Sequence, residues 1–175
     1  MKKIIIWLLV AQVFVSCSTL TSKKNWVKSS DNISEEFTKS FSEIYPEMGS
    51  SLGYQEFDKL GMNLSKETER AEIALLKIWE KRLNKKLLRE SSQNLKVDLL
   101  ILLDRVQTDL EWKVVDEKLA TISFYEASKV IYNSLFQLIN KQSPKKRKKD
   151  AVSRFKYYMS NSGKSNLIDA YQSRF

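Results

Sequence analysis

A chain of 175 residues is long enough for one domain with a sizeable core. It contains no histidine and a single cysteine, which excludes an intrachain disulfide and removes the commonest general base and the commonest zinc ligand. The formal net charge of +9 is unevenly placed, with residues 35–64 summing to about −4 and residues 144–175 to about +7. Gly and Pro are scarce (four and two), and Val, Ile and Thr nowhere alternate with polar residues. The expected fold class is therefore all-α, a bundle of about five or six helices.

Lys2 and Lys3 make a positive n-region, and Ile4–Val15 is an apolar run interrupted by Gln12. That run is too short for a permanent membrane span, and Ser16 supplies the small residue before a signal-peptidase cut. Cys17 follows at once. Phe14-Val15-Ser16-Cys17 resembles the bacterial lipobox, with Phe14 standing where Leu is usual. The resemblance implies that residues 1–16 are a lipoprotein signal peptide, and that Cys17 is acylated and becomes the mature N-terminus, held by membrane lipid. Each buried methylene of such an anchor adds about 0.8 kcal/mol. The alternative is a soluble secreted protein in which Cys17 is incidental. Ser18 is not the aspartate that marks inner-membrane retention in enterobacterial lipoproteins, so the resemblance favours the outer membrane, facing the periplasm. A place in the cell envelope argues against nucleic acid as a partner.

Residues 17–32 hold the lipidated Cys and a polar, Ser-rich tether, in which Trp26 either dips into the membrane interface or packs on the domain. The helical domain is expected over 33–175. Ser34, Glu35 and Glu36 open a helix with Ile33, Phe37, Phe41 and Ile44 as its stripe, and Pro46 ends it. Glu47–Asn63 holds Gly49, Gly53 and Gly61 and reads as an irregular connection pinned by Tyr54, Phe57, Leu60 and Met62. Ser65 caps a helix running to about Arg89, with Ala71, Leu75, Ile78, Trp79, Leu83 and Leu87 on its core side.

After a turn at Ser91–Asn94, a helix over Leu95–Leu119 carries Leu95, Leu99, Leu102, Leu103, Val106 and Leu110 as its main stripe. Leu100 and Ile101 widen it, which places this helix in the middle of the bundle. Ala120–Ser123 kinks or breaks it. Phe124–Lys141 continues with Phe124, Ala127, Ile131, Leu135 and Leu138 at helical spacing. Ser143-Pro144 reads as an N-cap with proline at the first helical position, opening a helix through Val152, Phe155 and Met159 that Gly163 ends. Asn166–Phe175 begins a further helix-like segment with Leu167, Ile168 and Tyr171.

Motifs for chemistry are lacking. No paired-cysteine zinc site, phosphate-binding glycine loop or nucleophile elbow occurs, nor does EF-hand spacing. No cofactor, metal or catalytic residue is assigned. The carboxylates Glu35, Glu36, Asp98, Asp104, Asp109, Glu111, Asp116 and Glu117 contain pairs that could serve glycoside hydrolysis, but acids at this density ordinarily solvate helix faces. Lys145-Lys146-Arg147-Lys148-Lys149 is the one sharp charge cluster. Five consecutive residues wrap more than one helical turn and cannot all face one partner. The run is either a solvated surface or a contact to anionic lipid or another polyanion, worth about 1 kcal/mol per residue beside a charged surface.

Several stretches carry a family resemblance. Ser50-Ser51-Leu52-Gly53-Tyr54-Gln55-Glu56-Phe57-Asp58, then Leu60 and the Ser65-started helix, resemble the N-terminal pattern of the bacterial domain-of-unknown-function family numbered 885. Ile122-Ser123-Phe124-Tyr125 resembles its Asn-Pro-x-x-Tyr-like junction, with Ile122-Ser123 departing from it. Ala151-Val152-Ser153-Arg154-Phe155 resembles its Ala-x-x-Arg-Leu helix. Members are often lipoproteins and resemble helical zinc metallopeptidases with a His-Glu-x-x-x-Gly-His-His-type motif. Nothing here matches that motif, so no metal or catalytic residue carries over. The resemblance implies the non-catalytic N-terminal third of such a protein, cut short by frameshift, truncation or gene split and completed by a second chain. The alternative is a self-sufficient envelope lipoprotein that binds a protein or polymer partner through its helical surface.

Overall fold

The computed structural model describes residues 25–63, 65–119 and 124–159, with backbone alone at 116–119 and 124–127. The fold is all-α: α1 (residues 25–42), α2 (Pro46–Ser51), a 3-10 turn (Gln55–Phe57), α3 (Lys66–Leu87), α4 (Gln93–Leu119), α5 (Phe124–Ile139) and α6 (Lys145–Met159). The expected signal peptide, Cys17, Ala120–Ser123, Gly163 and Asn166–Phe175 lie outside the described residues. No described helix is long and apolar enough to cross a membrane.

One apolar core joins α1, α3 and α4. Ile33 and Phe41 from α1, Leu76, Trp79 and Leu83 from α3, and Leu95, Leu99, Leu103 and Val106 from α4 are all buried within it. Polar contacts fix the register of the three helices. Trp79 Nε1 donates to Ser40 Oγ at 2.9 Å and Ser30 Oγ donates to Asp98 Oδ2 at 2.6 Å. The Phe37 ring meets Trp79 edge-on at 5.2 Å, and the Arg82 guanidinium lies over the Trp79 ring at 4.6 Å from its centroid.

Several boundaries and faces differ from those expected. Helix α1 starts at 25, before Ser34, so the polar stretch assigned to the tether is helical from there on, and Trp26 packs against the core. Pro46 does more than end α1. Its fixed φ suits the first position of a helix, and it opens α2, with Glu47 in the first turn. Ser65 caps α3 as expected, accepting from Thr68 N at 3.3 Å. The buried side of α3, however, runs through Glu72, Leu76, Trp79 and Leu83, leaving Ile78 62% exposed. Trp79 and Leu83 are buried and Leu75 and Leu87 pack against the core as expected, while Ala71 is exposed and Glu72 takes an inward position beside Lys113 of α4 at 2.5 Å. Helix α4 buries one stripe and is not central: Val97, Leu100, Ile101, Trp112, Val114 and Val115 remain exposed. Pro144 takes the N-cap position of α6, its carbonyl accepting from Lys148 N, while the Ser143 hydroxyl turns back to Gln137 O at the end of α5.

The burial pattern along α4 sets an expected contrast. Leu99→Ala should cost about 2–5 kcal/mol, as for other large-to-small changes in a packed core, whereas Ile101→Ala should stay within about 0.5 kcal/mol. Chemical denaturation followed by far-UV dichroism measures both.

Candidate functional site

The second half of the fold is organised by polar groups. Helix α6 packs along α5, and α2 touches both the 3-10 turn and α5. The stripe of α6 facing this packing is Arg147, Ala151, Arg154 and Tyr158, spaced four, three and four residues apart. Each polar member reaches the segment between α1 and α3.

Asp58, fully buried just after the 3-10 turn, is the anchor of the cluster. Arg147 grips it in a fork, Nε donating to Oδ2 and Nη2 to Oδ1, both at 2.7 Å. Ser50 Oγ also donates to Oδ1 at 2.7 Å, and Arg147 Nη2 reaches the Ser50 carbonyl at 2.6 Å. The Asp58 carboxylate raises the pKa of the guanidinium by direct hydrogen bonding, and the bidentate geometry is the strong form of such a pair. Arg154, with no exposed surface, donates from Nη2 to Phe57 O at 2.7 Å and from Nη1 to Ser134 O at 3.3 Å. Burial lowers its pKa, though a guanidinium stays protonated in proteins.

Tyr158 completes the stripe. Its hydroxyl donates to Glu47 Oε1 and lies 3.0 Å from Ser134 Oγ, and Glu47 Oε1 also accepts from Met62 N at 2.8 Å. Burial, with the Glu47 charge beside it, holds the phenol protonated well above its ordinary pKa. The ring of Tyr158 comes so close to Gly61 that a Cβ there would collide with its Cε1. Glu47 Oε2 and Arg154 Nε are the two atoms of this network that meet no protein partner.

These positions change the reading of the basic run. The sequence groups Arg147 with Lys145, Lys146, Lys148 and Lys149 as a solvated surface or a contact to an anionic surface, but its guanidinium is committed to Asp58 and its side chain is only 16% exposed. A buried carboxylate needs a counter-charge more than the surface needs one cation. Lys145, Lys146 and Lys149 are exposed and Lys148 is half-buried. Val152, Phe155 and Met159, whose spacing identified the helix, lie on its outward side, because the arginines and Tyr158 occupy the inward one.

The acidic candidates are dispersed among structural roles. Glu35 pairs with Lys39 at 2.8 Å, Glu36 with Arg82, Asp98 with Ser30 and Asp109 with Arg105 at 2.8 Å. Asp104 and Glu111 are exposed, and the Asp116 and Glu117 side chains lie outside the description. Among the described residues no three His, Cys, Asp or Glu side chains cluster as metal ligands do. An open hollow of about 260 Å³ beside Arg147 is lined by Ser50, Ser51, Gln137, Asn140, Gln142 and Ser143. Since Asp58 already neutralises Arg147, the hollow offers neutral donors and acceptors.

Sequence reasoning missed Glu47, Glu72, Arg147, Arg154 and Tyr158 as interior groups. The signal for the last three was the i, i+7, i+11 spacing of two arginines and a tyrosine. No family model matches the chain, and neither a curated protein nor a solved structure is significantly similar to it.

Removing one partner of the Asp58–Arg147 pair should be far worse than removing both. Arg147→Ala is expected to cost about 3–5 kcal/mol by stranding a buried carboxylate, and a double-mutant cycle with Asp58→Ala should give a coupling of at least about 1 kcal/mol. Strict additivity in urea unfolding would rule the clamp out.

The tyrosines set a pH limit. Tyr45 (between α1 and α2), beside Glu72, and Tyr158 both have pKa values raised from 10.0, chiefly by burial. The unfolded chain releases these protons near pH 10 while the folded one retains them, so their contribution is complete below about pH 10 and is lost as pH rises beyond it. The urea midpoint should fall between about pH 9 and pH 11, and Tyr158→Phe should fall less steeply over the same range.

Proposed function

We propose that this chain is a membrane-anchored bacterial lipoprotein whose domain is the non-catalytic N-terminal helical part of a metallopeptidase-like family, the one the 50–58 and 151–155 stretches resemble. One observation carries the family part of the reading. Those two stretches, far apart in sequence, meet in space: Arg154 holds the Phe57 carbonyl, and the neighbouring Arg147 holds Asp58 and Ser50. Residues that mark the resemblance are thus used together as a structural joint. Lys2, Lys3, the apolar run Ile4–Val15 and Cys17 support lipid anchoring in the cell envelope, and Ser18 favours an outer membrane, facing the periplasm.

The inventory of groups supports a non-catalytic role. With no histidine in the chain, a zinc-activated water would have to be held by carboxylates, which suit harder ions. The interior acids Asp58, Glu47 and Glu72 are engaged by Arg147, Tyr158 and Lys113. Work by contact is what remains, with membrane lipid through Cys17 and with a second chain or envelope protein through a helical face. The alternative, a self-sufficient lipoprotein that binds a protein or polymer, is favoured by the outer stripe of α4, where Val97, Ile101, Trp112 and Val115 fall on one exposed side.

Metabolic labelling with a fatty-acid analogue tests the anchor: the wild-type chain should take up label and Cys17→Ser should not, since no second thiol exists. Label retained in the Ser variant would overturn the lipoprotein reading. Elemental analysis of the purified chain should find no stoichiometric zinc, and peptidase assays with added zinc should give no turnover above background.

A further inference from the structure

Helix α6 has two unlike sides. Arg147, Ala151, Arg154 and Tyr158 face the protein. Positions 145, 148, 149, 152, 155, 156 and 159 fall within about one third of the circumference on the outward side. There Lys145, Lys148, Lys149 and Lys156 are interleaved with Val152, Phe155 and Met159, which are 58%, 48% and 51% exposed. The face carries no acid: Asp150, the one carboxylate of α6, is turned toward Lys59 at 3.8 Å and is mostly buried. Within the helix both arginines are spent on the interior, so every cation on the outward face is a lysine.

We propose that this outward face of α6 docks on an anionic lipid surface. Lysines attract the headgroup phosphates, and their alkyl stems let neighbouring apolar side chains sink to the acyl boundary while the ammonium groups stay in water. A helix of this length, about 22 Å, lies along the surface and presents both kinds of group together. A soluble polyanion would engage the lysines and leave Phe155, Val152 and Met159 in water, a less complete match to what the face offers. The docking is separate from acylation of Cys17, and acts on a chain with or without its anchor.

The test uses the full chain carrying Cys17→Ser, so that vesicle binding and lipid attachment are read independently. Co-sedimentation with phosphatidylglycerol-containing vesicles is compared with pure phosphatidylcholine, which reports any binding by the apolar N-terminal run. Binding should be stronger on the anionic vesicles and weaken with added salt. Lys145→Ala with Lys149→Ala should reduce that binding roughly 30-fold. Phe155→Ser should also reduce it several-fold without altering the dichroism spectrum or the lipid-free sedimentation coefficient. Equal binding to both vesicle types would overturn the proposal. Loss on lysine substitution with Phe155→Ser indifferent would mean a soluble polyanion as partner. A lipid-free oligomer dissolved by Phe155→Ser would mean that the face pairs with a second copy.

Discussion

A carboxylate with no access to water sets the terms for half of this molecule. Asp58 is fully buried, and an unpaired charge in that position would cost several kcal/mol. Arg147 supplies the counter-charge from the first turn of α6, and its fork fixes both the distance of that helix and its rotation about its own axis. Arg154 and Tyr158, further along the same stripe, then fall on Phe57 O and Glu47. The orientation of α6 is therefore decided by hydrogen bonds, and its apolar residues take the side that is left.

The two halves of the fold hold together by different means. Helices α1, α3 and α4 share a leucine-rich core in which each buried side chain contributes on the order of 1.5–3 kcal/mol of transfer free energy. The joint between α6 and residues 47–62 depends on direction: guanidinium to carboxylate, phenol to carboxylate, guanidinium to carbonyl. Such pairing adds modestly to stability but strongly disfavours other arrangements, since a shifted helix would strand the same charges. The close approach of Tyr158 to Gly61 leaves no room for a side chain there, so even the backbone of the connection is matched to the helix that covers it.

Much of the architecture was legible from spacing alone. The all-α class, the Ser65 cap, the course of α4 and the buried positions Leu95, Leu99, Leu103 and Val106 follow from hydrophobic period and capping chemistry. Where the period misled, a polar residue had claimed the interior. On α3 Glu72 takes an interior position while Ile78 is left exposed, and Arg147 and Arg154 turn α6 so that Phe155 and Met159 face outward. Periodicity identifies a helix but assigns its inner side only on the assumption that apolar residues fill it. A run of five basic residues conceals which one is structural, because the partner that selects it, Asp58, lies far away in sequence. Pro46 was read as a stop when it is also a start, since a proline that ends one helix has the φ needed to begin another.

The joint spans long stretches of chain, 89 residues between Arg147 and Asp58 and 111 between Tyr158 and Glu47. A chain synthesised from its N-terminus completes α1, α3 and α4 long before α6 exists. Throughout that interval Asp58 and Glu47 lack the partners that α6 supplies, although Tyr45 and Met48 already have the core of α1, α3 and α4 to pack on. Closing so large a loop adds little to its entropic cost beyond that of a moderate one, yet contacts of this separation form slowly. The region between α1 and α3, early in sequence, is thus among the last to reach its final form, and its maturation waits on the arrival of a single arginine.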